Sequence, residues 1–145
     1  MVIGGIEEAV MIEITEEPLS PESIVNKART DDSGCVATYV GLIRQYSQGN
    51  EVLSVEYEDP RGEAKGRLEE IASETRQRWQ INNIAISHRI GKLRVGDINL
   101  VVAIAAAHRK EGFAACQYVI DQFKERLPTR KRETYQNGSV QVSGH

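Results

Sequence analysis

Along this chain the apolar positions switch between a spacing of two and a spacing of three and four, and each switch marks an element. VMIEITEE, residues 10–17, alternates and reads as a short strand. Ser20 followed by Pro21 is an N-cap with proline at the first helical position, and the helix it opens is expected to run to about Arg29. TDDSG is a turn, and GCVATYVGLI, residues 34–43, is β-branched and apolar enough for a buried strand. YSQGN, residues 46–50, reads as a loop. EVLSVEYE, residues 51–58, is a half-buried strand that sets Val52, Ser54 and Glu56 against Leu53, Val55 and Tyr57. Asp59-Pro60 repeats the capping signal, and Ala64, Leu68, Ile71, Thr75 and Trp79 follow at helical spacing.

Beyond that helix, residues 82–91 form a strand with Ile84, Ile86, His88 and Ile90 in phase. KLRVGD turns the chain at Gly96-Asp97, and INLVVAIAAA, residues 98–107, is the most apolar strand and the expected sheet centre. Residues 108–127 make a second long helix with Phe113, Cys116, Ile120, Phe123 and Leu127 as its core stripe, ended by Pro128. Asn137-Gly138 between alternating residues predicts a closing hairpin. The fold class that follows is α+β: a mixed, mainly antiparallel sheet packed against two long helices, with a C-terminal hairpin. One domain spanning 1–145 is expected, with residues 1–8 and 143–145 loosely held.

Composition changes this picture little. The chain carries 18 basic and 21 acidic residues, a formal charge of −3, which argues against general nucleic-acid binding. No apolar run approaches a membrane span, and the first residues lack the basic start of a signal peptide. Cys35 and Cys116 stand in no metal-ligand spacing and read as small apolar residues in a reducing cytoplasm. His88, His108 and His145 are scattered, so no metal site is expected.

Against the acidic background, four of the seven residues from Arg126 to Arg132 are basic. That run is a nucleic-acid patch, a solvated turn or part of an anion-handling site. His108-Arg109 lies where an apolar strand meets a helix start, a position suited to an anion, although a capping His beside a surface Arg explains the same pattern. Arg44 closes a buried strand. Lys124 borders the apolar stripe of the last helix, and Lys131 follows seven residues later. Lysines beside apolar surface serve as nucleophile or base when desolvated, and as snorkelling surface groups otherwise. Composition alone favours the second role. His88 reads as a satisfied core histidine, and Glu133 as a structural partner of Lys131 or Arg132.

The segments GCVATYVGLIR, ISHRIGKLRVGD, AIAAAHRKEGF and DQFKERLPTRKRE, in this order, resemble the large (catalytic) subunit of molybdopterin synthase. The resemblance spans about Gly34 to Glu133 and implies an α/β-hammerhead-like fold and a sulfurtransferase. It implies that cyclic pyranopterin monophosphate receives dithiolene sulfur from the C-terminal Gly-Gly thiocarboxylate of a small ubiquitin-like carrier. The assembly it implies is a homodimer with a carrier at each end, a heterotetramer, with neither cofactor nor metal and no membrane or nucleic-acid partner. Carried over by motif, Lys124 and Lys131 are the catalytic lysines. Arg44, His108 and Arg109 line the substrate pocket, near the backbone of Leu42 and Ile43. Arg132 and Glu133 share the loop of Lys131, and Tyr39 is an aromatic near the pocket. One departure stands out: Thr129-Arg130 replaces the apolar-Trp pair usual in the family.

Helix geometry adds a constraint. His108 and Lys124 are separated by roughly 22–24 Å along a helical segment at 1.5 Å per residue. One small ligand does not reach both from a single helix, so a pocket using both is expected between two copies of the chain. The rival readings are a nucleic-acid-binding module built on RLPTRKR and a non-catalytic paralogue that keeps only carrier binding.

Overall fold

The computed structural model describes residues 10–144, so the loose start expected for 1–8 and His145 lie outside the described residues. The chain forms two sheets. The first runs in the order β1 (Val10–Thr15), β5 (Asn83–Arg89), β7 (Ile98–Ala106), β2 (Cys35–Leu42). β1 pairs parallel with β5, and the other two pairings are antiparallel. Helices α2 (Ala64–Arg78) and α3 (Arg109–Glu125) cover one face, and α1 (Pro21–Ala28) covers the other.

Coverage on both sides explains why β5 and β7 read as unbroken apolar runs. Ile84, Ile86, Val102 and Ile104 meet the long helices through Leu68, Ile71, Val119 and Phe123. The alternate positions are small, Ala85 and Ala103, and let α1 approach through Ile24 and Ala28. Each large side chain here contributes about 1.5–3 kcal/mol by leaving water. Ser20 caps α1 as expected, its hydroxyl accepting from the Ser23 N–H at 3.2 Å.

The second sheet has five strands: β3 (Tyr46–Ser47), β4 (Asn50–Glu58), β8 (Arg130–Tyr135) and β9 (Val140–Ser143) in that order, with β6 (Gly91–Leu93) also on β4. All its pairings are antiparallel. Its inner face carries a separate core of Ile43, Val52, Val55, Tyr57, Leu93 and Tyr135. The closing hairpin forms at Asn137-Gly138, with Gly138 at φ 88°. β9 runs to Ser143, which pairs with Lys131, so pairing extends into the tail expected to be loose.

Four local readings need correction. The stretch 46–50 is a hairpin rather than a plain loop, because Gln48 and Gly49 both take positive φ, 52° and 81°, as a two-residue hairpin turn requires. Strict alternation in β4 fails at a bulge between Val52 and Ser54, which leaves Leu53 exposed and puts Val52 on the face of Val55 and Tyr57. Helix α2 begins at Ala64, not at Pro60: the Asp59 carboxylate accepts from the N–H groups of Glu63 and Ala64 across a turn. Phe113 is 63% exposed, because the buried stripe of α3 runs through Gly112, Ala115, Cys116, Val119 and Phe123, one position round the helix.

Candidate functional site

Between the two sheets, beside the C-terminal end of α3, lies a cavity of about 520 Å³. Its wall from the first sheet comes from Tyr39, Leu42 and Asn99, and Ile43 and Arg44 follow where β2 ends. A bulge shapes this wall. Gly41 pairs with Leu100 and Leu42 with Ile98, so Asn99 is skipped in the register. Gly41 leaves room for this packing: a Cβ there would stand 2.9 Å from Asn99 Oδ1 and 3.0 Å from the Tyr39 ring, so one of those side chains would have to shift. Ile43 is held by its N–H donating to the Asp97 carbonyl and by its carbonyl accepting from Gly96, both at 2.9 Å. The turn carrying Asp97 is itself fixed by the Arg94 N–H donating to the Asp97 carboxylate.

The opposite wall belongs to β4 and β8. Val52, Val55 and Tyr57 line it from β4, and Lys131 and Glu133 from β8. Cross-strand register sets Tyr57 directly opposite Lys131 and Val55 opposite Glu133. Phe123, Lys124 and Leu127 close the helix side. Lys131 Nζ lies 3.5 Å from Glu133 Oε2, so the pairing read for Glu133 is present. The Glu133 carboxylate also accepts from the Tyr135 hydroxyl at 2.8 Å and from Ser47 at 3.5 Å. The carboxylate beside it, with burial second, raises the Tyr135 phenol above its ordinary pKa. Arg44 and Lys124 make no ion pair among the described residues. Three cations and one carboxylate therefore face the cavity, a net positive site on an acidic chain.

Behind this wall sits His88, fully buried. Its Nδ1 is 2.9 Å from the Asn99 carbonyl, which only accepts, so Nδ1 carries the proton. In the neutral ring Nε2 then accepts from the Thr129 hydroxyl at 2.9 Å. Burial pushes the imidazole down to about 4, only partly offset by the Asn99 bond and the Asp59 charge. The satisfied core histidine expected from the sequence is what forms, edge-on to Tyr57 and Phe123 at 4.8 and 4.9 Å. Thr129 is 1% exposed and spends its hydroxyl on this ring. Arg130 is exposed, with Glu58 at 3.9 Å.

The structure thus brings together Tyr39, Leu42, Ile43, Arg44, Lys124, Lys131 and Glu133. It does not bring in three others. His108 and Arg109 are exposed at the far end of α3, where His108 is the N-cap residue, and Arg132 is exposed on the other side of β8 from Lys131 and Glu133. Four polar cavity residues went unnoticed in the sequence: Ser47, Tyr57, Asn99 and Ser143. Tyr57 counts as apolar in an alternating strand, but Asn99 interrupts an otherwise apolar run and is the one legible signal. The basic run is also dispersed: Arg126 bonds Glu74 of α2 at 2.7 Å, Arg130 lies by Glu58, and Lys131 faces the cavity. No continuous cationic stripe remains for a nucleic-acid backbone.

Fold and cavity together define a mixed α+β domain with a cavity lined by two lysines and an arginine. The family model described as MoaE protein matches residues 14–126, and the chain belongs to that family. A molybdopterin synthase catalytic subunit from Nostoc sp. is 41% identical over 87% of this chain and 77% of its own length. One from Thermoplasma volcanium is 34% identical over 88% of this chain and 93% of its own. The crystal structure of molybdopterin synthase from Staphylococcus aureus superposes with a TM-score of 0.83 at 31% identity, covering 92% of this chain and 96% of that one. A complex of subunits 1 and 2 of molybdopterin-converting factor from Helicobacter pylori shares the fold, with a TM-score of 0.68 at 15% identity.

Proposed function

We propose that this chain is the catalytic subunit of a molybdopterin synthase, a sulfurtransferase that takes sulfur from a carrier's C-terminal thiocarboxylate and delivers it to cyclic pyranopterin monophosphate. The observation that carries the reading is the convergence of Arg44, Lys124 and Lys131 on one cavity between the sheets of a MoaE-family fold. Both reactants are anionic, and cations in a confined, partly desolvated site hold them more strongly than cations in water. Arg44 grips phosphate through its donor fork. A thiocarboxylate is already nucleophilic, so the site needs no cysteine. Lys124 assists attack and collapse of the acyl intermediate, as base or transient covalent partner. Lys131, held by Glu133, stabilises the charge that develops.

His108 and Arg109 complete the pocket from a second copy of the chain. Their distance from Lys124 on one helix supports this arrangement, roughly 22–24 Å at the helical rise. The small ubiquitin-like carrier inserts its Gly-Gly tail into the cavity, in a heterotetramer of two catalytic chains and two carriers.

Reconstitution tests the reading. Purified chain, thiocarboxylated carrier and cyclic pyranopterin monophosphate are expected to yield molybdopterin. Lys124→Ala is expected to bind carrier without forming product, and turnover by that variant overturns the lysine's role. Mixing His108→Ala with Lys124→Ala protein is expected to restore part of the activity. Freely mixing chains that stay inactive would refute the shared pocket.

A further inference from the structure

Tyr57 occupies the cavity wall beside Lys131, its cross-strand partner on the same face. Directly opposed residues in an antiparallel pair have Cβ atoms about 4.5–5.5 Å apart, so the two side chains meet the same ligand region. The hydrogen-bond directions around Tyr57 are determined by chemistry. The Asn99 side-chain amide donates to the Tyr57 hydroxyl oxygen at 3.1 Å. The phenolic oxygen is therefore an acceptor in that bond, and its own hydrogen is not used there.

The hydroxyl is also held in place. Asn99 is the bulged residue of β7, its carbonyl fastened by His88 and its side chain given room by Gly41. His88 in turn packs edge-on against the Tyr57 ring at 4.8 Å and is anchored by Thr129. Burial, more than the nearby Glu133 charge, pushes the phenol up to about 12, so the hydrogen stays on the oxygen across the working pH range.

We infer that Tyr57 is a further ligand-contacting residue: it donates its phenolic hydrogen to an anionic oxygen of the ligand held beside Lys131. This rests on the proposed sulfur-transfer reading for the reaction, but not for binding. Lysine supplies charge, and the phenol supplies a neutral donor of fixed direction at the same oxygen. A carboxyl-type oxygen of the carrier tail and a phosphate oxygen share the required chemistry.

Two measurements decide it. In the reconstituted reaction, Tyr57→Phe keeps the ring and its contact with His88 and removes the hydroxyl, which is both the donor to the ligand and the acceptor of the Asn99 amide. The expected result is a fall in kcat/KM of about 10- to 100-fold, carried by a raised KM, as for a hydrogen bond to a charged group, with only a small fall in melting temperature from the unpaired Asn99 amide. A folded Tyr57→Phe protein with wild-type kcat/KM overturns the inference. The second measurement places 3-fluorotyrosine at position 57 of the full chain and follows its fluorine resonance. Titration with a peptide ending in a Gly-Gly carboxylate, and separately with inorganic phosphate, is expected to shift it. The probe that shifts it identifies the oxygen, and no shift with either at saturation overturns the inference. If wild-type protein makes no product, the proposed reaction fails, while the fluorine titration still decides the role of Tyr57.

Discussion

The two sheets of this protein solve different problems. In the first, both faces are covered by helices, and the central strands β5 and β7 bury nearly every side chain they carry. In the second, the inner face is only partly apolar: Val52, Val55 and Tyr57 share it with Lys131, Glu133 and Tyr135. Every polar group on that face is partnered or opens to the cavity, and no buried side-chain polar atom among the described residues is left without a partner. The first sheet is a stability device, and the second trades apolar packing for a charged cavity. Substitutions in one are expected to read out in melting curves, and in the other in turnover.

The sharpest break of that comparison is Ile104→Ala in β7. It opens a void among α2, α3 and the first sheet, and denaturant unfolding is expected to show a loss of about 2–5 kcal/mol with unchanged turnover per folded molecule. Lys131→Ala is its mirror image: activity falls about 100- to 1,000-fold, as when a charge-stabilising donor is removed, while the unfolding midpoint barely moves. Equal stability losses in the two variants would erase the distinction between the sheets.

His88 joins the two regions and gives a pH test. Its folded pKa, about 4, lies below the unfolded value near 6.5, so the unfolded chain binds the extra proton first. The stability contributed by the neutral ring is full above about pH 6.5 and is lost as pH falls toward 4, by about 3 kcal/mol in all. His88→Gln is expected to flatten that part of the stability profile, and an unchanged slope would remove His88 as its source. Thr129→Val deprives Nε2 of its donor and is expected to cost about 1–3 kcal/mol, whereas Thr129→Ser is expected to restore most of it. The smallest effect is Glu74→Ala. It breaks the partly exposed Arg126–Glu74 pair between α2 and α3 and should cost about 0.5 kcal/mol or less.

Much of the fold was legible in local pattern. The helix opened by Ser20-Pro21, the central strand 98–107 and the hairpin at Asn137-Gly138 all rest on short-range rules, and all three form. Two of the corrections and one overlooked residue share one cause. At Leu53, at Asn99 and at the Gln48-Gly49 turn, an irregular backbone breaks a period of two, and periodicity cannot register an extra residue. Phe113 failed for another reason: one step round a helix is about 100°, enough to carry a large apolar side chain off the packed face.

For the site, the order of residues supplied the cast: two lysines seven apart, an arginine closing a strand, and motifs in the order of a known family. It left open whether a basic run of four in seven residues formed a single surface. Tertiary structure decided that. A strand sends successive side chains to opposite faces, so Lys131 enters the cavity and Arg132 does not. Pairing across the sheet then set Tyr57 beside Lys131, although 74 positions separate them in the chain (131 − 57). Spacing along the chain does not carry that neighbour, because cross-strand register arises only when the sheet closes.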